Sequence, residues 1–263
     1  MREIMIFETH AHYDDEAFAE DRELLLASMP EKGIGRVVNV GASIASCKTT
    51  IEFMNKYPHV YGALGVHPSD TADLTEESFA WLKEQVTHPK CLAVGEIGLD
   101  YYWPEPDRDI QKKWFIRQLE LAKEVKLPVV IHSRDAAQDT IEIMKAQHAE
   151  EMGGVIHCFS YTKESAAIFL DMGFYIGVGG VITFKNAKKL KEAVEYIPMD
   201  RIVVETDSPY LTPVPNRGKR NDSLHLPYIV EEIARIKGLT YEEVADITWK
   251  NAETMYKMRK KED

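Results

Sequence analysis

The chain has 263 residues, three cysteines and a formal net charge of -11 at pH 7. This excess of negative charge argues against tight, nonspecific clamping of duplex nucleic acid, which gains its free energy by neutralising phosphates and releasing counterions. The three cysteines are widely spaced, which fits neither a disulfide framework nor a clustered thiolate zinc site and is typical of a reducing cytoplasm.

The start of the chain and its length set two further expectations. The segment MREIMIFETH has no basic leader followed by a cleavable apolar core, and no run reaches the about 18 apolar residues that span a bilayer. We therefore expect an unexported, cytoplasmic protein with no membrane contact. Because α/β barrels commonly have this length, we predict a single domain covering residues 1–263.

Eight short apolar runs, rich in Val and Ile and bounded by Gly or Pro, follow one another along the chain. In order they are MIF before Glu8, GRVVNVG, VYGALGV, CLAVGEIG, LPVVIH, GVIHCF, FYIGVGG and RIVVETD. Such runs are typical of buried parallel strands, and the polar segments between them are long enough for helices. The pattern predicts an α/β fold, the closed TIM (β/α)8 barrel, rather than an open doubly wound sheet. No GxGxxG follows the first run, which disfavours a dinucleotide fold.

Two of the predicted helices have clear boundaries. An apolar stripe predicts a helix over about residues 107–126, and Pro128 ends it before the next strand. Thr240 and Glu243 form a capping-box pattern. The last helix is therefore expected to begin at about Tyr241.

Side chains that can bind metal lie at the ends of five of the runs. His10 and His12 follow the first run, and positions i and i+2 of an extended strand point to the same face, so both imidazoles can reach one ion. The carboxyl ends of barrel strands converge on one site, so residues distant in sequence become neighbours there. The other candidates at strand ends are Glu96, His132, His157 and Asp207.

These six residues supply four nitrogens and two carboxylates, enough for two divalent cations with open positions for water and substrate. Glu96 lies in the apolar run VGEIGLD, where a buried carboxylate requires a compensating positive charge, and its two oxygens can bridge two ions. Asp207 is expected to be a ligand and a proton acceptor. Mixed imidazole and carboxylate ligation suits Zn, Mn, Co or Fe, and Mg where waters fill the remaining positions. Taken singly, each histidine is equally well explained as a hydrogen-bonded core residue.

The segments ETHAHYDD, GVHPSD, VGEIGLDYY, QLELAKEVKLPVVIHSRDA, GVIHCFS, VGGVITFK and ETDSPYLTPVPNRGKRN resemble, in order and spacing, the motifs of the TatD family of metal-dependent deoxyribonucleases. The resemblance extends nearly from end to end. It implies a TIM-barrel hydrolase of the amidohydrolase-like superfamily that cleaves DNA, often as a 3′ to 5′ exonuclease on single-stranded DNA. It also places the six candidate ligands on the family's metal-binding positions.

The chain departs from the family pattern near both of its ends. Glu8 stands where the family commonly has Asp, and Ala11 and Tyr13 replace its usual Cys and Leu. After RGKRN the chain reads DSLH where a Glu-Pro is common. Neither change removes a ligand, so these departures bear on substrate preference.

Cations near the strand ends are the predicted substrate contacts. Arg134 follows the fifth run, and Arg217 and Lys219 lie in the loop after the eighth, where they are expected to contact the phosphate backbone of DNA. A solvated basic loop is the alternative. His67, in GVHPSD, is a further candidate for substrate contact, although a turn histidine explains it almost as well.

Aromatic residues and the reaction complete the nuclease hypothesis. Tyr101, Tyr102 and Trp103 are candidates to stack on unpaired bases, or alternatively to pack against the loop. The expected partner is DNA, single-stranded or at its 3′ ends, and the chain is expected to be a monomer. In the expected reaction the cations activate a water molecule, Asp207 accepts its proton, and the water oxygen attacks phosphorus.

Two other functions remain open. Another metal hydrolase on the same barrel, cleaving an aminoacyl-tRNA ester, an amide, a lactone or a phosphotriester, would use a closely similar centre. Many such relatives bridge their metals with a modified lysine from the fourth strand, where this chain has Glu96, and this favours the nuclease. The second alternative is a metal-binding interaction protein without turnover, which the complete set of six ligands disfavours.

Overall fold

Eight strands pair in parallel, each with its neighbour in sequence, in a computed structural model that describes residues 4–258. The strands are β1 (Ile6–Ala11), β2 (Ile34–Val40), β3 (Val60–Leu64), β4 (Cys91–Asp100), β5 (Val129–Arg134), β6 (Gly154–Ile156), β7 (Tyr175–Val178) and β8 (Ile202–Val204). Each of the eight apolar runs overlaps one of them. The predicted TIM (β/α)8 barrel is therefore confirmed.

Helices fill the connections between the strands and follow the last one. Within the described residues the α-helices are α1 (Arg22–Ser28), α2 (Ile44–Lys56), α3 (Glu76–Gln85), α4 (Arg108–Val125), α5 (Ala137–Ala146), α6 (Lys163–Asp171), α7 (Lys188–Tyr196), α8 (Leu226–Lys237) and α9 (Tyr241–Met255). Short 3₁₀ helices cover Glu16–Phe18, Pro30–Lys32, Pro68–Asp73, Ala149–Glu151, Gly180–Thr183, Met199–Arg201 and Ser223–His225. Across residues 4–258, no helix is both long and apolar enough to cross a bilayer.

The two helices with predicted boundaries are confirmed. The side chain of Asp107 caps the start of α4, and Lys126, in the left-handed region at φ 60°, ends it. At α9 both bonds of the predicted capping box are present, because Thr240 accepts from the backbone of Glu243 and the Glu243 carboxylate accepts from the backbone of Thr240. The polar residues that flank each apolar stripe thus set the helix ends.

The barrel interior is packed with apolar side chains at the amino ends of the strands. Every residue of β1, β4, β6, β7 and β8 is buried, as expected for parallel strands covered on both faces. Phe7, Val38 and Val203 belong to a cluster to which α9 contributes Ala252 and Met255, and Tyr256, the residue after α9, joins it. Because α9 covers this end, the opposite, carboxyl end of the strands is left for a site.

Backbone bonds between β1 and the segment after β8 close the barrel. Ala11 and Ser208 form a parallel bridge, and the N–H of His12 donates to the carbonyl oxygen of Ser208 over 2.8 Å. The N–H of Asp207 donates to the carbonyl oxygen of His10 over 3.0 Å. The barrel therefore closes at residues predicted to bind metal.

A glycine allows β4 to approach β5 closely beside a predicted ligand. Gly98 pairs with His132 in register and has φ +144°, a conformation that side chains rarely adopt. A Cβ at this position would also collide with the carbonyl oxygen of His132. Only glycine fits there without moving the strand that carries His132.

Candidate metal centre

The structure brings the six predicted ligand residues together at the carboxyl end of the barrel, in two groups that share Glu96. One oxygen of Glu96, Oε2, lies 3.4 Å from His10 Nε2 and 3.5 Å from His12 Nε2. The other oxygen, Oε1, lies 2.8 Å from His132 Nδ1 and 2.7 Å from His157 Nε2. Each carboxylate oxygen thus faces its own pair of imidazoles.

Asp207 joins the first of these groups. Its Oδ1 lies 3.7 Å from His10 Nε2 and 3.5 Å from His12 Nε2. The Asp207 backbone is in the left-handed region at φ 55°, and so is that of Cys158 at φ 45°. Non-glycine residues in that region concentrate at functional sites, where the surrounding structure holds them in place.

The spacing of the donor atoms fits divalent cations. His10 Nε2 and His12 Nε2 are 3.0 Å apart, and His132 Nδ1 and His157 Nε2 are 3.1 Å apart. Nitrogen and oxygen ligands about 2.1 Å from one ion are separated from one another by about 3.0–3.4 Å. Each group therefore has the dimensions and the donor chemistry of a cation site.

Hydrogen bonds determine which ring nitrogen of two histidines is free to bind metal. His12 Nδ1–H donates to the carbonyl oxygen of Val40 over 2.8 Å, so the lone pair is on Nε2. His132 is arranged the other way, since its Nε2–H donates to Asp100 Oδ2 over 3.1 Å and leaves the lone pair on Nδ1. In both residues the free nitrogen is the one that faces Glu96. Partners of this kind orient metal ligands and fix their tautomers.

The electrostatics of the site keep both acidic residues ionised. Burial alone would raise the pKa of Glu96, but the imidazoles of His157 and His10 outweigh it and hold that pKa well below its usual range. Burial likewise opposes ionisation of Asp207, and the contact with the His12 imidazole, together with the rings of His157 and His10, outweighs it and lowers the pKa of Asp207 overall. The site thus offers negative charge to a cation.

His67 also lies at this site, beside Glu96. Its Nδ1 accepts from the backbone N–H of Ser69 over 3.1 Å, so a neutral ring carries its proton on Nε2. That Nε2 lies 3.7 Å from Glu96 Oε1. Burial, followed by the neighbouring imidazole of His132, lowers the pKa of His67 to about 3. A neutral ring with its N–H directed into the site suits an oxygen atom of a substrate.

A cavity of about 780 Å³ opens above the two groups. The predicted site residues that line it are His12, His67, Glu96, His132, Arg134, His157 and Asp207. His10 is fully buried. The guanidinium carbon of Arg134 lies 3.7 Å from the ring centroid of Tyr102.

The other two predicted cations lie elsewhere. Within the part of the chain that the structure describes, neither Arg217 nor Lys219 lines the cavity. The guanidinium carbon of Arg217 is 3.9 Å from the centroid of the Phe184 ring. Substrate contact by Arg217 and Lys219 stays a prediction.

The three aromatic residues after β4 differ in their surroundings. The hydroxyl of Tyr101 donates to Asp139 over 2.6 Å, and Arg108 covers its ring at 4.1 Å. Tyr101 therefore packs against the protein. Trp103 lines the cavity and is 55% exposed, so it is the aromatic residue of the three best placed to meet a base.

Two buried carboxylates were not among the sequence predictions, although strand alternation is a signal that finds both. Asp100 lies four residues after Glu96 on β4, on the same face of the strand, and binds His132. Glu205 lies two residues before Asp207 and is 3.7 Å from His157 Nδ1 through Oε1. The spacing that groups His10 with His12 applies equally to these pairs.

Three departures from the family pattern meet in one buried chain of hydrogen bonds. The hydroxyl of Tyr13 donates to Ser223 Oγ over 2.7 Å, and Ser223 Oγ–H donates to Glu8 Oε2 over 2.8 Å. Glu8 Oε1 in turn accepts from the backbone N–H of His10 over 3.2 Å. Glu8, Tyr13 and Ser223 are all 0% exposed, so they support the site without touching a substrate.

The family model described as TatD related DNase matches residues 7–257 of the chain. The chain belongs to the TatD family. An uncharacterized metal-dependent hydrolase of Bacillus subtilis (strain 168), YabD, is 45% identical to this TatD-family chain over 254 residues, which cover 97% of the chain and 100% of the relative. The 3'-5' ssDNA/RNA exonuclease TatD of Salmonella typhimurium is 29% identical over 259 residues, covering 96% and 99%.

The structure of YJJV, a TatD homolog from Escherichia coli k12, superposes on this TatD-family barrel with a TM-score of 0.91. It is 27% identical in sequence, and the superposition covers 97% of this chain and 98% of that one. Family membership and the buried clusters of His, Glu and Asp together identify a metal-dependent hydrolase.

Proposed function

We propose that this TatD-family hydrolase is a deoxyribonuclease that removes nucleotides from the 3′ end of single-stranded DNA. The observation that carries the proposal is the position of Glu96 on the floor of the cavity, with each oxygen facing a separate pair of imidazoles. The exonuclease activity in the name of the Salmonella relative supports the choice of substrate.

The proposed cofactors are two divalent cations. His10, His12, Asp207 and Oε2 of Glu96 would hold one, and His132, His157 and Oε1 of Glu96 would hold the other. Divalent cations bound in this way supply an activated water molecule and stabilise negative charge on phosphate oxygens. The imidazole and carboxylate donors suit Zn, Mn, Co or Fe, with Mg possible where water completes the coordination.

The residues of the chain then perform separate tasks. The carboxylate of Asp207, which the site keeps ionised, accepts the proton of the attacking water. The Nε2–H of His67 donates to a phosphate oxygen of the substrate. Arg134, at the cavity wall, adds a charged donor that can hold a phosphate through two hydrogen bonds.

The size of the cavity favours the end of a single strand. A volume of about 780 Å³ lies within the range of about 300–1,000 Å³ that is typical of sites for small molecules, so it suits terminal nucleotides and not a duplex. Trp103 can stack on a base at the rim. All six proposed ligands come from one chain, and we propose that a monomer carries the complete site.

Labelled DNA tests the proposal directly. Metal-stripped enzyme is supplied with Mg, Mn, Zn, Co or Fe singly and given 5′-labelled single-stranded DNA. We expect a ladder of products that shortens by one nucleotide at a time, and the same DNA labelled at its 3′ end should release labelled mononucleotide first. Asp207→Asn should abolish cleavage while retaining the circular dichroism spectrum, and Asp171→Asn, on the exposed end of α6, should cleave normally.

Two outcomes would overturn the assignment. Intact DNA with every ion, together with cleavage of aminoacyl-tRNA, a lactone or an amide, would show a different hydrolase on the same barrel. Binding of two ions without turnover of any of these substrates would show a metal-binding interaction protein.

A further inference from the structure

A buried carboxylate lies behind two of the proposed ligands and has no role in the chemistry described above. Glu205 follows β8 and is 0% exposed. Its Oε1 accepts from the backbone N–H of Cys158 over 2.5 Å and lies 3.7 Å from His157 Nδ1. The ring of His157 stacks on that of His10, with centroids 4.0 Å apart and planes at 9°. Glu205 therefore lies beside two parallel imidazoles.

The atoms that lack partners converge at this place. Among residues 4–258, four buried side-chain nitrogen or oxygen atoms have no hydrogen bond, and three of them are His10 Nδ1, His157 Nδ1 and Glu205 Oε2. One donor atom from each of these residues lies within 4.8 Å of the other two. Buried polar atoms are almost always paired, so three complementary orphans in one place need an explanation.

We infer that Glu205 is a shared positioning residue, whose carboxylate accepts the Nδ1–H of both His10 and His157 and so directs both Nε2 lone pairs to the cations. The two histidines belong to different proposed metal groups. Closing the bond from His157 needs an approach of about 0.7 Å, because N–H···O bonds are about 3.0 Å long. His10, His157 and Glu205 could instead hold a third cation among them. That alternative is disfavoured, since each ring already gives its Nε2 to one proposed ion.

The neighbouring strand accommodates this carboxylate. Gly177 on β7 has no side chain, and a Cβ there would stand 2.8 Å from Glu205 Cδ and closer still to Oε2. The existing bond from the Cys158 N–H fixes the position of the Glu205 carboxylate. The two inferred bonds from the imidazoles depend on that position. Gly177 thus provides the space in which one residue serves two metal groups.

This inference rests on the proposed metal ligands and not on which ester the enzyme cleaves. In Glu205→Gln the amide keeps its oxygen for Cys158 and turns an NH₂ group toward the imidazoles, which favours the tautomer with Nε2–H. We expect Zn²⁺ affinity, measured by competition with a chromogenic chelator, to fall about 10–100-fold for both ions. The matched control is Asp100→Asn, which changes the partner of His132 Nε2 and leaves the two stacked imidazoles untouched, and it should weaken one ion and spare the other.

Nuclear magnetic resonance provides a readout that does not need activity. In the Zn²⁺-loaded, ¹⁵N-histidine-labelled protein, the Nδ1–H protons of His10 and His157 should be shifted downfield and exchange slowly. Both signals should lose that shift in Glu205→Gln and keep it in Asp100→Asn. Assignment of each signal comes from the His10→Gln and His157→Gln variants.

A second variant keeps the test informative if Glu205→Gln fails to fold. Gly177→Ala leaves the carboxylate intact but displaces it, and we expect the same loss of affinity for both ions with a smaller amplitude. Wild-type affinity for both ions in the folded Glu205 or Gly177 variant would overturn the inference, and so would weakening of one ion alone. Absence of DNA cleavage alongside the expected Zn²⁺ result would overturn the proposed substrate and leave this inference standing.

Discussion

The backbone N–H of Asp207 donates to the carbonyl oxygen of His10 over 3.0 Å, so one of the bonds that closes the barrel joins two proposed metal ligands. A second closing bond, from His12 to Ser208, involves a third ligand. The first and the last strand therefore meet where the cations are expected to bind. Ligand geometry and barrel closure are set by the same few residues.

Replacement of Glu96 by Gln should remove the bridge between the two groups. The amide keeps the volume of the side chain but offers one oxygen acceptor in place of two. We expect the metal content to fall from two ions to one or none and turnover to fall by about 10³-fold, since metal catalysis supplies several kcal/mol. Elemental analysis and initial rates provide the measurements. An unchanged ion count, with Glu192→Gln as the exposed control, would contradict the bridging role.

Removal of the cations should destabilise the folded chain, because ions that bind only the folded state stabilise it by mass action. At free Zn²⁺ about 100 times the dissociation constant, the gain in unfolding free energy is about 2.7 kcal/mol. Urea unfolding with and without a chelator measures this difference. It should vanish in a His12→Ala, His132→Ala double variant, and a full response in that variant would mean that the ions bind elsewhere.

Truncation of the Tyr13 hydroxyl should destabilise the metal-free protein. Tyr13→Phe leaves Ser223 Oγ without its donor and the backbone N–H of Ser223 without its acceptor in a fully buried place. Ser223 Oγ keeps its bond to Glu8, so the N–H is the group left without a partner, and we expect a loss of about 1–3 kcal/mol by urea unfolding. Tyr196→Phe, at a half-exposed tyrosine on α7, should change stability little. Equal behaviour of the two variants would show that the buried chain contributes nothing.

The ion pairs of Glu232 should make stability depend on pH on the acid side. Hydrogen bonds from Arg235, with a smaller part from Lys191, lower the pKa of Glu232 from 4.5 to about 2. A carboxyl whose pKa is lower in the folded state stabilises that state above its unfolded pKa and loses the contribution as pH falls. The difference in melting temperature between wild type and Glu232→Gln should be constant above about pH 4.5 and shrink toward pH 2. A difference that is independent of pH would refute this.

Arg134 lines the cavity and Arg217 does not, so we expect Arg134 to contribute more to the binding of DNA. We expect Arg134→Ala to raise KM for single-stranded DNA about tenfold or more, because charge-assisted hydrogen bonds contribute about 1.5–3 kcal/mol. Arg217→Ala should change KM much less, since its guanidinium packs on Phe184 outside the cavity. Equal effects of the two substitutions would show that the loop after β8 reaches the substrate.

The sequence predicts the fold and the convergence of the site well, for definite physical reasons. Strand alternation places His10 and His12 on one face, and parallel closure brings the ends of five runs together whatever their separation in the chain. The length of each apolar run and the capping residues of α4 and α9 mark the element boundaries. These features depend on local pattern and on topology, which a sequence displays.

Hydrogen-bond partners depend on three-dimensional detail that the sequence does not display. Asp100 and Glu205 lie close in sequence to the predicted ligands Glu96 and Asp207. Which histidine nitrogen each carboxylate faces depends on side-chain rotamers and on strand register, which the sequence does not show. The contact of Tyr13 with Ser223 joins residues 210 positions apart. Nor does charge in the Arg217 loop reveal that its side chain packs on an aromatic ring.

The buried chain from Tyr13 through Ser223 to Glu8 limits how parts can be exchanged between this protein and its relatives. A chimera whose imported opening segment has the family's usual Leu in place of Tyr13 would lose the phenol and keep the serine that depends on it. The reverse chimera, with this protein's opening segment on a relative that lacks Ser223, would lose the hydroxyl that donates to Glu8, the residue that accepts from the backbone N–H of His10. Functional hybrids should therefore require all three positions to move as one unit.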